Sequence, residues 1–278
     1  MRDIATSRAG YRGLAGFFGL FVLFLYAPIV ILVIFSFNDN FLPTFPLKGF
    51  TLQWYGDFFH NPELRRALTT SAEVAAISSA IAVALGIVAS IVLVRRRFFG
   101  KPAASALLLS PLVIPYVVFG IALLLFFQAW HVPLGIQSIV IGHVVLAIPY
   151  TILVLIPRLE RIDVRLEEAA RDLGASGWRT FRSITFPLIV PAVVSAFIVA
   201  FTLSFDEFAV AQFVNGDATT FPIYLFSQLR FPNKLPSVIA VAVVVMTLSI
   251  LVVLVSEVGR RIAERRIGGE EPVFDPAA

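Results

Sequence analysis

Six stretches of this chain, at about 14–37, 67–94, 103–127, 138–157, 188–208 and 236–257, are apolar for twenty or more residues each. A helix rises about 1.5 Å per residue, so each stretch is long enough to cross roughly 30 Å of hydrocarbon. Inside a bilayer every backbone N–H and C=O must be satisfied by protein, which leaves helices or a closed barrel. The alternating pattern of a barrel strand is absent. The expected fold is therefore an all-α membrane protein with six transmembrane helices. Only 14% of residues are charged and the mean hydropathy is +0.88, against about 25% charged residues in a soluble domain. The first run is too long for a signal-peptide core and lacks a small-residue cleavage site, so it reads as a retained span.

The basic residues orient the spans. With residues 1–13 inside, seventeen Lys and Arg fall on the inner side and five, Lys48, Arg65, Arg66, Arg230 and Lys234, on the outer side. The positive-inside rule then puts both ends in the cytoplasm. The division is a cytoplasmic N-terminus at 1–13, a six-helix domain at 14–257 containing a cytoplasmic loop at 158–187, and a cytoplasmic tail at 258–278. The basic balance is explained by this asymmetry and by membrane lipid, with no nucleic acid as partner. There is no cysteine, which removes disulfides, thiol chemistry and thiolate metal sites. His60, His131 and His143 have no metal-ligand spacing, and no hydrolase signature is present.

Turn and cap chemistry fills in the connections. Asn61-Pro62-Glu63 starts a helix with a cap, a proline at the first position and an acid at the positive end of the dipole. Trp54 and Tyr55 suit a membrane interface, and Asn215-Gly216-Asp217 signals a turn. Pro111, Pro115 and Pro149 lie within spans three and four, where they are expected to kink the helices.

The polar interruption at 158–187 has a plan of its own. Asp163 caps a helix from Val164 to about Leu173, and Gly174 follows where a positive φ is needed. Ser176 caps a second short helix, Gly177 to about Ser183, and Pro187 marks the turn into span five. Ala169 and Ala170 allow another surface to approach closely. Glu167, Glu168 and Asp172 offer acceptors to a partner's cations. A solvated hairpin with no specific partner has the same composition.

The spacing Glu168-Ala169-Ala170-x3-Gly174-x9-Ile184-x-x-Pro187 decides for a docking element, because it resembles the EAA loop of ABC-importer permeases. The resemblance extends along most of the chain: Tyr26-x-Pro28-Ile29, Ser36-Phe37-Asn38, Trp54-Tyr55, Phe201 through Glu207 and Phe213-Val214-x-Gly216 look like the second permease of the spermidine/putrescine importer family. Phe186 departs from the usual leucine before the proline, an apolar exchange. The resemblance implies a type I ABC-importer permease fold in a bacterial inner membrane, forming half of a translocation pathway. The loop would be a coupling helix seated in a groove of an ATP-binding subunit homodimer, with Glu167, Glu168, Ala169, Ala170, Asp172, Gly174, Ile184 and Pro187 at the contact. Glu168 and Gly174 would matter most. A second, homologous permease and an extracytoplasmic solute-binding protein are implied as further partners. No G-x4-G-K-[ST] phosphate loop occurs here, Gly100-Lys101-Pro102 being only a fragment. The chain therefore needs no cofactor of its own, and ATP with its magnesium would sit on the partner ATPase.

Carboxylates within spans cost about 2.5–3.5 kcal/mol at a helix centre and are functional by default. Glu73, Asp206 and Glu207 stand out. They also fit interfacial acids paired with Arg65, Arg66 or Arg230. For a cationic cargo such as a polyamine they form a pathway with the aromatic walls of Phe205 and Tyr224, which add cation–π attraction. The same importer class also serves opines, phosphonates and iron. A stand-alone secondary carrier would show repeats, interrupted spans and buried ionisable pairs. Only the three carboxylates favour it, and it leaves the docking loop unexplained, while a membrane enzyme would need a reactive constellation that the sequence lacks.

Overall fold

The structure, a computed structural model, describes residues 8–268. Residues 1–7 of the expected N-terminal segment and 269–278 of the expected tail lie outside the described residues. Among the described residues the elements are helices, and the β-structure is one isolated bridge, Asn38 with Phe50. The helices are α1 Arg8–Phe35, α2 Gln53–His60, α3 Pro62–Arg95, α4 Lys101–Leu109, α5 Tyr116–Ala129 and α6 Ile136–Glu160. They continue with α7 Val164–Asp172, α8 Gly177–Thr180, α9 Phe186–Asp206, α10 Ala211–Val214, α11 Phe221–Gln228 and α12 Leu235–Gly268. The expected boundary at 257 falls inside α12, which runs on to Gly268.

Among the described residues, five helical stretches are long and apolar enough to cross a membrane: Gly13–Phe35, Pro62–Arg95, Ile136–Glu160, Gly177–Asp206 and Pro232–Val255. The third expected span differs. It is a pair, Lys101–Leu112 and Tyr116–Ala129, bent by 103°. Two prolines four residues apart remove the N–H groups of positions 111 and 115, and Pro115 pushes Ile114 out of helical geometry. The result is a break rather than the expected kink. Pro149, by contrast, is accommodated inside an unbroken α6.

The described residues form two compact units, one within 1–61 and 225–248 and one within 62–224 and 249–278. In the first, the end of α1 anchors the following loop. Trp54 Nε1 donates to the Asn38 carbonyl (3.0 Å), the Tyr55 and Ser36 hydroxyls are 2.6 Å apart, and the Lys48 N–H donates to Asn38 Oδ1 (3.0 Å). Phe37 stacks between Phe50 and Tyr55 at 5.1 and 5.3 Å. Trp54 is buried in this arrangement rather than free to sit in an interface.

The second unit is built on α3, α6 and α9, which pack against one another. The buried stripe of α3 is made largely of small residues, Ala67, Ser71, Ala75, Ser78, Ser79, Ala82, Gly86 and Ser90. Small side chains let membrane helices approach until backbone meets side chain. Gly86 shows how close: a Cβ there would overlap Thr151 of α6, whose hydroxyl donates to the Ile148 carbonyl (2.8 Å) and faces that of Ala82 at 3.3 Å. Layers of apolar contact run along the three helices, from Ala82, Ala147 and Ala200, through Val83, Leu155 and Ala196, to Leu159, Ile162 and Ile189.

Candidate functional site

Two places in the second unit gather the chemistry that the sequence singles out. The first is the hairpin α7–α8. The Asp163 side chain accepts from the Arg165 N–H (3.0 Å) and starts α7. At its end the Gly174 N–H reaches the Arg171 carbonyl (2.9 Å) and the Ala175 N–H reaches that of Ala170 (3.0 Å). This is a Schellman cap, and Gly174 takes the required left-handed conformation at φ +85°. Ser176 then caps α8, its hydroxyl accepting from the Arg179 N–H (3.3 Å).

The second helix ends differently from expectation. Instead of a turn at Pro187, the chain continues through a π-helical turn, Phe181–Thr185, straight into α9. Pro187 has no N–H to give, and the Phe186 N–H bonds one residue further back than an α-helix would, to the Phe181 carbonyl. The wider turn lets the helix pass the proline.

The hairpin's acids separate. Glu168, Asp172 and Gly174 are exposed, as is Ala169, and Ala170 is half-buried. Ile184 is half-buried and Pro187 exposed. Glu167, expected to face a partner's cations, is only 4% exposed. Its Oε1 accepts from Arg95 Nε (3.3 Å) and the Thr185 hydroxyl (3.0 Å), while Arg171 stands 3.6 Å from Oε2. Arg95 and Thr185 come from 72 residues upstream and 18 downstream, so no local pattern gives the contact away. The hairpin also exposes large apolar side chains that no sequence motif marks, foremost Leu173 at 90% and Trp178 at 69% exposure.

The second place is the turn after α9. Here too the adjacent acids separate. Asp206 is exposed and Glu207 buried. Glu207 accepts from the backbone N–H of Val210 (2.9 and 3.1 Å) and of Ala211 (3.0 Å), holding the start of α10. His143 Nε2 of α6 lies 3.2 Å from its Oε2. On the other side of the ring, Nδ1 is 2.7 Å from the Ser204 hydroxyl, which is 2.8 Å from that of Ser78. One buried polar chain therefore joins α3, α9, α6 and the turn. Among buried groups such continuity fixes a unique arrangement, because each unmet partner would be costly. His143 has no metal-ligand spacing in the sequence, and its place in this polar chain is a different one that spacing does not reveal.

Next to this chain is a small open recess lined by Tyr116, His143, Tyr150, Ser204 and Glu207 with Leu146, Ala147 and Leu203. The Tyr116 and Tyr150 hydroxyls meet at 3.0 Å. Of the other pathway candidates, Glu73 is exposed on α3 and Tyr224 is buried. Phe205 belongs to a ladder, Phe197–Phe201–Phe205–Phe221, with ring centroids 6.2, 6.0 and 5.9 Å apart. Phe197, Phe201 and Phe205 lie half-buried on α9, and the ladder ends at buried Phe221.

Comparison with known proteins places the chain in a family. Residues 82–267 match the family of binding-protein-dependent transport system inner membrane components. The putrescine transport system permease protein PotI of Escherichia coli strain K12 is 38% identical over 231 residues, covering 80% of this chain and 82% of that protein. The spermidine/putrescine transport system permease protein PotC of the same strain is 34% identical over 245 residues, covering 87% and 91%. In fold, the chain superposes on a chain of a bacterial alginate ABC transporter solved with its pentasaccharide-bound periplasmic protein, with a TM-score of 0.70 at 17% identity, covering 94% and 97%. The chain belongs to the binding-protein-dependent transport system inner membrane components, and is a multi-pass permease subunit of an ABC importer rather than an enzyme.

Proposed function

We propose that this permease carries polyamines, putrescine or spermidine, across the membrane. The carrying observation is the resemblance to PotI and PotC over most of the chain. The acidic turn supports it. A polyamine presents ammonium groups separated by methylenes, and α9 offers a group for each part, half-buried phenylalanines along its length and an exposed carboxylate as its last residue. The rings offer cation–π attraction and apolar contact, and Asp206 offers charge. Glu73 is a second exposed carboxylate for a second ammonium. Glu207 has a supporting part. Bound to two amides and His143, it holds the turn that presents Asp206.

The family implies an ATPase partner and a solute-binding protein. In our reading the chain pairs with a second, homologous permease, and the two stand on a homodimer of ATP-binding subunits. Both termini and the hairpin α7–α8 face the cytoplasm, as the basic residues require. Exposed Glu168, Leu173 and Trp178 meet the ATPase, and Gly174 sets the angle between the two short helices. Binding of ATP closes the ATPase dimer, pushes the hairpin and switches access to the pathway. The broken span at Pro111 and Pro115, the in-span carboxylates and the buried His143–Glu207 pair are features a stand-alone carrier would share. Such a carrier has no use for the docking hairpin.

The test is uptake by proteoliposomes holding the complete transporter, fed by its solute-binding protein loaded with labelled putrescine, spermidine, an opine or a phosphonate. ATP-dependent uptake confined to the polyamines is expected. Uptake of another solute class alone would discard the cargo assignment, and uptake without ATP would discard the importer mechanism.

A further inference from the structure

We infer that Arg95 and Glu167 form a strut through which the hairpin moves helix α3, and that the strut stays closed throughout the transport cycle. This rests on the reading of the hairpin as the ATPase-docking element.

Connectivity sets α3 apart from its two partners. A displacement of the hairpin reaches α6 and α9 through the backbone, because α6 leads into α7 and α8 runs continuously into α9. Helix α3 has no such link. Its chain neighbours are α2 and α4. Yet α3 packs against both α6 and α9, and carries Glu73 together with Ser78 of the buried polar chain. Any switch of access must move it in register with the other two.

Two kinds of contact reach α3 from the hairpin end. One is apolar, with Ile87, Ile91 and Val94 against Leu159, Ile162 and Ile189. Such packing is non-directional. The other is polar. Arg95 is the last residue of α3, and its guanidinium grips the hairpin twice. Nε donates to Glu167 Oε1 (3.3 Å), and Nη2 donates to the Ile162 carbonyl (3.3 Å), just before the Asp163 cap. A planar guanidinium holding two points on one body fixes its orientation as well as its distance, which a lysine would not do. Thr185, on the π-helical turn leading to α9, donates to the same Oε1 (3.0 Å). One carboxylate thus ties the hairpin to α3 and to the root of α9. The side chains of Arg95 and Glu167 are 13% and 5% exposed. A pair this enclosed resists opening, since separation would leave a charge out of water without its partner.

The absence of cysteine makes a direct test clean. Arg95→Cys with Glu167→Cys is placed in the complete transporter and assayed in proteoliposomes, reduced and after a short bifunctional thiol cross-linker. Reduced, the variant is expected to keep its ATPase subunit through purification and to import at least tenfold less cargo per ATP hydrolysed. Cross-linked, it is expected to recover at least half of the native ratio, because a covalent tie replaces the ion pair. Native coupling in the reduced form would overturn the strut. So would a cross-linked form that hydrolyses ATP without import, since the pair would then have to open. Loss of the ATPase subunit would also overturn it, by making the pair a docking contact.

Should the double cysteine variant not be recovered as a folded membrane protein at all, the exchange Arg95→Glu with Glu167→Arg decides. It is expected to restore coupling that either single change removes, and a swap no better than the singles overturns the proposal. Glu168→Lys separates the underlying reading from this one. If it leaves the ATPase docked and coupled, the docking role falls. If it uncouples while loss of the Arg95–Glu167 pair does not, only the strut falls.

Discussion

The hairpin α7–α8 and the turn after α9 solve the same problem in the same way. Each carries two adjacent acids, Glu167-Glu168 in one and Asp206-Glu207 in the other. In each, one acid is buried and saturated with partners, and its neighbour is exposed. The buried member fixes a junction. Glu167 ties α7 to α3 and the root of α9, and Glu207 ties the start of α10 to α6. The exposed member is left free to meet something outside the chain. The difference lies in the partners. Glu167 faces a cation, Arg95, whereas Glu207 is held chiefly by backbone amides and a histidine. A carboxylate held by amides is tied to the fold of its own turn. One held by an arginine is tied to a distant helix. The first arrangement suits a fixed platform and the second a moving part.

If Glu207 is the fixed platform, its loss should be felt most. Glu207→Ala leaves two buried amides without their acceptor and removes the carboxylate beside His143, and an unmet buried group costs about 1–3 kcal/mol. The expected outcome is the largest of the set: lower yield of the assembled transporter on purification and at least a tenfold loss of uptake. Normal yield with normal uptake would mean the turn does not depend on this carboxylate.

Gly174→Val and Glu168→Lys probe the exposed side of the hairpin. The first forces a branched residue into left-handed geometry, at about 1–2 kcal/mol, and swings α8 relative to α7. The second reverses charge at the docking surface. Both are expected to leave membrane insertion intact while ATP hydrolysis continues with little import. The readout is the ratio of cargo imported to ATP hydrolysed, and an unchanged ratio in both would remove the hairpin from coupling.

Asp206→Asn is expected to act more gently still, lowering polyamine uptake several-fold at sub-saturating cargo with assembly untouched. Glu73→Gln should do the same to a smaller degree, with a greater effect on spermidine than on putrescine, since spermidine has the additional ammonium to lose. Equal uptake of both cargoes by both variants would take these acids out of the pathway.

Much of this was legible in the sequence because it is local. The Asp163 cap, the glycine at 174 and the Ser176 cap are spaced along one stretch of chain, and the structure forms them as the spacing requires. The long apolar runs mark the spans for the same reason. What escaped depends on partners far away. Nothing near Glu167 says that Arg95 will arrive beside it, and in the sequence that arginine counts only toward orientation. Asp206 and Glu207 look alike until α6 brings His143 against one of them. The broken third span was partly visible, since Pro111 and Pro115 were there to be read. How far two prolines bend a helix depends on what neighbouring segments offer the freed carbonyls. Pro149 and Pro187 pass through continuous helix where Pro111 and Pro115 do not.

Thermal melting of the purified assembly separates the two kinds of acid, run side by side on Glu167→Gln, Glu168→Gln, Asp206→Asn and Glu207→Gln. Each change removes one charge and almost no volume. The expected result is a melting point several degrees lower for Glu167→Gln and Glu207→Gln, with the other two matching the native protein. Equal shifts in all four, or a larger loss at Glu168 and Asp206, would contradict the division between buried anchor and exposed contact.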